Sequence, residues 1–135
     1  MTDTLGAPAG WPSATVPDFD DAELLGALEA VPLERLDDLG FGLIAMDRTG
    51  DVIWYNAFEA RRAGLRVDQA LGRNFFSAVG PCTENYLVAE RYRQEPDLDD
   101  QLDYVFTLRM KPTPVRLRLL ARRGSARQYL AVRSR

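Results

Sequence analysis

Leu102-Asp103-Tyr104-Val105-Phe106-Thr107-Leu108-Arg109-Met110 sets Leu, Tyr, Phe, Leu and Met at every second position, a period of two held over nine residues. Side chains of a β-strand point alternately to opposite faces, so this stretch predicts a strand with one face against a core. Val115, Leu117 and Leu119 against Arg116 and Arg118 repeat the pattern, and residues 128–133 supply a further strand after the Gly124-Ser125 turn. Upstream, residues 42–46 and 52–55 flank Asp47-Arg48-Thr49-Gly50-Asp51 and predict a β-hairpin. Asn56 suits the cap of a short helix over 57–63 that closes at Gly64, and 67–70 predicts another helical turn before Gly72. Asn74-Phe75-Phe76 and Val79-Gly80-Pro81-Cys82 read as a buried connection, and Thr83 or Asn85 opens a helix ending near Gln94. Two strands, short helices and three more strands predict an α+β fold, with a central antiparallel sheet of about five strands and helices on one face.

The other face of such a sheet needs a cover. Residues 18–38 supply it: Asp20 or Asp21 caps a helix with Leu24, Leu25, Leu28 and Val31 along one side, and Pro32 divides the segment before Leu36 and Leu39. Residues 1–17, with Pro8, Pro12 and Pro17, read as a flexible leader, which leaves 18–38 as an N-terminal helical cap and 39–135 as the core domain. Charge separates along the chain. Residues 1–60 carry 12 acids and 2 bases, 61–135 carry 8 acids and 15 bases, and nine bases without an acid lie between Arg109 and Arg135. Docking of the acidic cap on the basic strands accounts for that division more simply than a nucleic-acid partner does, although solvated charge on two unrelated faces and a DNA-binding stripe are the competing readings.

With no His and one Cys, the chain has no Ser-His-Asp or Cys-His catalytic pair, no structural zinc site and no internal disulfide. The reading is therefore of a non-enzymatic protein without a metal centre. No run approaches a membrane span, and the start at Met1 lacks a basic n-region, so a cytoplasmic protein without a membrane partner is expected.

Cys82 is by default a small buried hydrophobe, and the sharper alternative is covalent attachment of a ligand. Tyr55 and Glu59, spaced i, i+4 across a strand-to-helix junction, either face solvent or share one site. Phe75, Phe106 and Met110 are most simply core. Together they describe a pocket for a small organic acid, in which a buried phenolate requires hydrogen-bond donors, Tyr55 at any ordinary pH and Glu59 only when neutral.

The string Val52-Ile53-Trp54-Tyr55-Asn56-Ala57-Phe58-Glu59, followed by Gly72-Arg73-Asn74-Phe75-Phe76-Ser77-Ala78-Val79-Gly80-Pro81-Cys82-Thr83, resembles the photoactive yellow protein family, with 27 residues from the tyrosine to the cysteine. Tyr104-Val105-Phe106 and Met110-Lys111-Pro112-Thr113 extend the likeness, which covers Leu39 to Arg135. The resemblance implies a PAS-type fold and a p-coumaric (4-hydroxycinnamic) acid chromophore as a covalent thioester on Cys82. It also implies that Tyr55 and Glu59 hydrogen-bond the phenolate, and that Ile44, Phe75, Val79, Gly80, Pro81, Phe106, Leu108 and Met110 line the pocket. Function would then be blue-light reception, with photoisomerisation, proton transfer from Glu59 and loosening of the cap as the signal. The receiving partner is unknown, a phytochrome-linked histidine kinase in the same polypeptide being one option. A PAS-type ligand-binding or dimerisation module without covalent chromophore is the alternative. Three positions depart from the family's pattern: Ala63 stands for a supporting threonine, Leu65 for a shielding arginine and Leu108 for a ring-side tyrosine. Losing the threonine hydroxyl predicts weaker support of an anionic ring and some neutral pigment in the dark.

Overall fold

The computed structural model describes residues 10–107 and 111–135. Five antiparallel strands, β1 (Gly42–Asp47), β2 (Val52–Tyr55), β3 (Leu98–Phe106), β4 (Thr113–Ala121) and β5 (Arg127–Ser134), form one sheet in the order β2-β1-β5-β4-β3. The expected α+β arrangement is what forms. Between the hairpin and β3 lie α2 (Ala57–Ala63), α3 (Val67–Ala70), a π-helical turn (Phe75–Val79), a 3-10 turn (Pro81–Thr83) and α4 (Ala89–Gln94). Before β1 come α1 (Leu24–Glu29) and a 3-10 helix (Leu33–Asp38), broken at Pro32 as its missing N–H requires.

Alternation along the strands sorts side chains onto two cores. Ile44, Met46, Leu117, Leu119, Leu130 and Val132 face the helices that follow β2. Leu43, Ala45, Leu120, Tyr129 and Ala131 lie on the opposite face under Phe19, Leu24, Leu28, Leu36 and Leu39. β1 and β5 are thus covered on both sides, whereas edge strand β3 exposes Asp103 and Val105 between half-buried Leu102 and Tyr104 and buried Phe106.

In the stretch read as a flexible leader, Trp11 and Pro17 are buried while Pro12 to Thr15 between them are exposed. Trp11 is buried against the cap and its indole N–H donates to Asp38 at 3.0 Å. The terminal helix also differs from expectation. Asn85 opens a turn rather than a helix, accepting from the Leu87 and Val88 amides, and α4 starts only at Ala89.

Nor do the basic strands pair mainly with the acidic cap. Arg116 pairs with Asp103, Arg118 with Asp99, Arg123 with Asp97 and Arg135 with Asp103, all carboxylates at or near β3, because β3 is the hydrogen-bonded neighbour of β4. Among the described residues, Arg133–Asp20 joins this stripe to the cap as an ion pair. The stronger link is Arg118, 5% exposed, which grips Asp99 through two N–H groups while Nη1 donates to the Phe19 and Asp21 carbonyls at 2.8 Å each. Arg118→Met should lower stability by about 2 kcal/mol through those unpaired carbonyls, read as a reduced urea midpoint, with cap amides exchanging first. An unchanged midpoint and unchanged cap exchange would remove Arg118 as the latch.

Candidate functional site

The site begins where β2 ends. Tyr55 stands opposite Ile44 of β1 and is buried. Asn56 then leaves the strand and starts α2, its side-chain oxygen accepting from the Glu59 amide and the Leu43 amide at 3.0 Å each. Its amide group donates to the Leu36 and Phe41 carbonyls, also at 3.0 Å, so one buried side chain joins the cap, β1 and α2. This turn carries Glu59 inward to zero exposure. A Cβ on Gly42 would lie 2.0 Å from Glu59 Oε1, so β1 accepts the carboxyl group only because residue 42 has no side chain.

Arg62, one helical turn further, binds both Glu59 oxygens: Nε donates to Oε1 at 3.0 Å and Nη2 to Oε2. Its guanidinium also stands over the Phe106 ring, 5.6 Å from the centroid. Burial pushes the Glu59 carboxyl above its ordinary range, and the Arg62 hydrogen bonds and charge pull it back. Burial pushes the Tyr55 hydroxyl strongly upward, neighbouring Glu59 adds to that and Arg62 opposes it, so Tyr55 keeps its proton at any physiological pH. Gly42→Ala should force Glu59 off its seat and lower stability by about 1–3 kcal/mol, read as a fall in urea midpoint. An alanine variant of wild-type stability would show that Glu59 has other room.

The thiol arrives from the far side. Asn74 caps the π-helical turn, its side chain accepting from the Phe76 and Ser77 amides, and the wide turn closes with the Gly80 amide on the Phe75 carbonyl at 2.7 Å. A Cβ on Gly80 would come within 2.8 Å of the Phe75 ring, so chain and ring meet face on. Cys82 follows in the 3-10 turn as a half-buried free thiol. Its backbone is clamped: the Cys82 carbonyl accepts from the Tyr104 hydroxyl at 2.5 Å and from the Asn85 amide at 3.2 Å, while Asn85 also donates to the Tyr104 oxygen at 2.7 Å.

Ile44, Tyr55, Phe75 and Phe106 therefore belong to one buried cluster, with Val79 and Cys82 packed against it and Gly80 buried beside Phe75. Pro81 does not join them. It is exposed, at the first position of the 3-10 turn, where its missing N–H costs nothing. Leu108 and Met110 lie outside the described residues. Ala63 is buried on α2, and Leu65 packs on the edge of the cluster. Sequence reasoning missed Arg62, although an i, i+3 acid–arginine pair on a helix was a readable signal. It also missed Gly42 and the Asn85–Tyr104 clamp, which no local pattern announces.

The donor set suits an aromatic acid. A tyrosine hydroxyl and a carboxyl group stand together at one part of an apolar core, and a thiol able to bind an acyl group packs against that same core. Among the described residues no helix is long and apolar enough to cross a membrane.

No family model matches the chain. It is 33% identical over 104 residues to photoactive yellow protein of Rhodothalassium salexigens, covering 75% of this chain and 83% of that protein. It is 32% identical over 104 residues to that of Halochromatium salexigens, with the same coverage. The photoactive yellow protein domain of the sensor histidine kinase Ppr from Rhodospirillum centenum superposes with a TM-score of 0.72 at 30% identity, over 81% of this chain and 98% of that domain. A PAS domain of an HTR-like protein from Haloarcula marismortui shares the fold at 16% identity and a TM-score of 0.59, covering 71% of this chain and 87% of its own. Sheet order, helices and these likenesses agree on a PAS-type sensory module, and the chain belongs to the photoactive yellow protein family.

Proposed function

We propose that this chain is a blue-light receptor that carries p-coumaric acid as a thioester on Cys82, with its phenolic end against Tyr55 and Glu59. The observation that carries the reading is the burial of Tyr55 in the apolar cluster that the half-buried Cys82 packs against, with buried Glu59 acting on the tyrosine hydroxyl. When bound, the pigment supplies absorption of visible light and a double bond that isomerises. The protein's part is to hold and move charge. Tyr55 donates a hydrogen bond without losing its proton, since burial keeps it neutral. Glu59 is the group that exchanges a proton, because burial raises its affinity for one while Arg62, among the described residues, opposes it. Phe75, Phe106 and Ile44 exclude water, so a shift of charge between Glu59 and the ring goes unsolvated, which favours opening. The cap, latched at Arg118, is the element such opening would release, which makes its loosening the proposed signal. Cys82 has no histidine to serve as base, so the thiol is assigned to attachment rather than turnover. The Ppr relative is part of a sensor histidine kinase, and a kinase in the same polypeptide is a fitting receiver for this signal.

Reversible photochemistry tests the reading. Chain loaded with activated p-coumaric acid should lose its visible band under blue light and regain it in darkness, with faster exchange of cap amides while illuminated. A coloured protein whose spectrum and exchange ignore light would reduce the site to a ligand pocket.

A further inference from the structure

Arg62 was not among the residues expected at this site, and its contacts bear on where the pocket keeps its proton. Both Glu59 oxygens accept from one guanidinium, a bidentate charge-assisted arrangement among the stronger hydrogen-bond geometries. The arginine side chain is 17% exposed and lies over Phe106, so little water competes for it. A proton on Glu59 removes the charge that holds the Arg62 guanidinium and weakens both of these bonds. Arg62 and a proton are therefore competitors for Glu59. The groups facing Glu59 are Arg62 from α2 and Tyr55 from β2, while β1 presents the bare Gly42. Burial favours the neutral acid and Tyr55 stays neutral, so among the described residues Arg62 is the charged neighbour that opposes protonation of Glu59.

We propose that Arg62 is a positioning residue that holds Glu59 as a carboxylate and so makes it a hydrogen-bond acceptor toward a phenolic ligand. A ring hydroxyl beside it then keeps its own proton, and Glu59 becomes a donor only in molecules where the guanidinium has moved off. Glu59 carboxylate with a neutral phenol, and neutral Glu59 with a phenolate, carry the same number of protons and the same net charge. Their ratio is therefore insensitive to pH and shifts with the hold of Arg62 on Glu59. The effect on Glu59 needs no pigment, whereas the consequence for colour rests on the function proposed above.

The test has two readouts on the full chain, wild type, Arg62→Gln and Arg62→Lys. First, carbon NMR of δ-labelled glutamate, with Glu59 identified by the signal lost in E59Q, follows its ionisation from about pH 4 to 9. Wild type and R62K should hold the carboxylate at neutral pH, and R62Q should titrate at least about one unit higher, a tenfold change in proton affinity. Equal titration in wild type and R62Q, or a protonated Glu59 in the wild type at neutral pH, overturns the proposal. Second, after loading with activated p-coumaric acid, the wild type should show a short-wavelength band of neutral phenol whose share is flat around neutral pH, and R62Q should lose most of it to the phenolate band at that same pH. A loaded wild type with a single phenolate band, unchanged in R62Q, also overturns it. If NMR gives the predicted shift while mass spectrometry finds no thioester, Arg62 keeps its role and the receptor reading fails.

Discussion

Cys82→Ser, exposed to activated p-coumaric acid, will stay colourless and carry no added mass, while its far-ultraviolet circular dichroism and urea midpoint remain close to wild type. The chemistry dictates the first half. A thiol becomes a thiolate within reach of neutral pH, but a serine hydroxyl needs a strong base, and the chain contains no histidine. The fold dictates the second half. What holds this turn is the backbone of residue 82, whose carbonyl accepts from Tyr104 and Asn85, together with the Thr83 hydroxyl on the Gly80 carbonyl at 2.6 Å. The half-buried sulfur adds only a small apolar contact, so the stability change should stay within about 1 kcal/mol. Colour lost with fold retained separates an attachment site from a core cysteine. A variant that colours like the wild type would move the attachment elsewhere or abolish it.

Asn56→Ala is expected to be the most destabilising single substitution considered, by about 3–4 kcal/mol, read as a large fall in urea midpoint. Truncation strands four backbone groups at once, the Leu43 and Glu59 amides and the Leu36 and Phe41 carbonyls, in a place with no exposure to water. It also removes the cap of α2, worth about 1 kcal/mol. Asn56→Asp should not restore the midpoint at neutral pH, since the two amides keep an acceptor but a buried, charged oxygen is set against the Leu36 and Phe41 carbonyls. An alanine variant within about 1 kcal/mol of wild type would mean that water reaches these groups.

The hairpin, the helix over 57–63 and the antiparallel sheet were legible because each rests on local chemistry. Asn56 and the left-handed Gly64 mark α2 to the residue, and the alternation around Leu102–Phe106 is clear because β3 is an edge strand with one face in water. β1 and β5 gave weaker patterns, since burial on both faces erases alternation. The helix expected from Thr83 or Asn85 was shortened because Asn85 uses its side chain on Tyr104 and two turn amides, a tertiary choice that local propensity does not contain. Counting charge by segment suggested that cap and basic strands attract each other. Strand order instead sets most of those arginines beside β3 carboxylates, and the cap is latched through its backbone carbonyls. At the site, a known pattern pointed to Tyr55, Glu59 and Cys82, whereas Arg62 was legible only as an i, i+3 pair and Gly42 in no local pattern. Their importance lies in what touches Glu59, and residue 42 is far from 59 in sequence.

Denaturing mass spectrometry of the wild-type chain after treatment with activated p-coumaric acid, before and after hydroxylamine, bears most directly on the whole account. One coumaroyl group per chain, mapped to the peptide containing Cys82 and released by hydroxylamine, is the predicted result. A chain whose mass does not change, or an adduct that resists hydroxylamine or maps elsewhere, would contradict it.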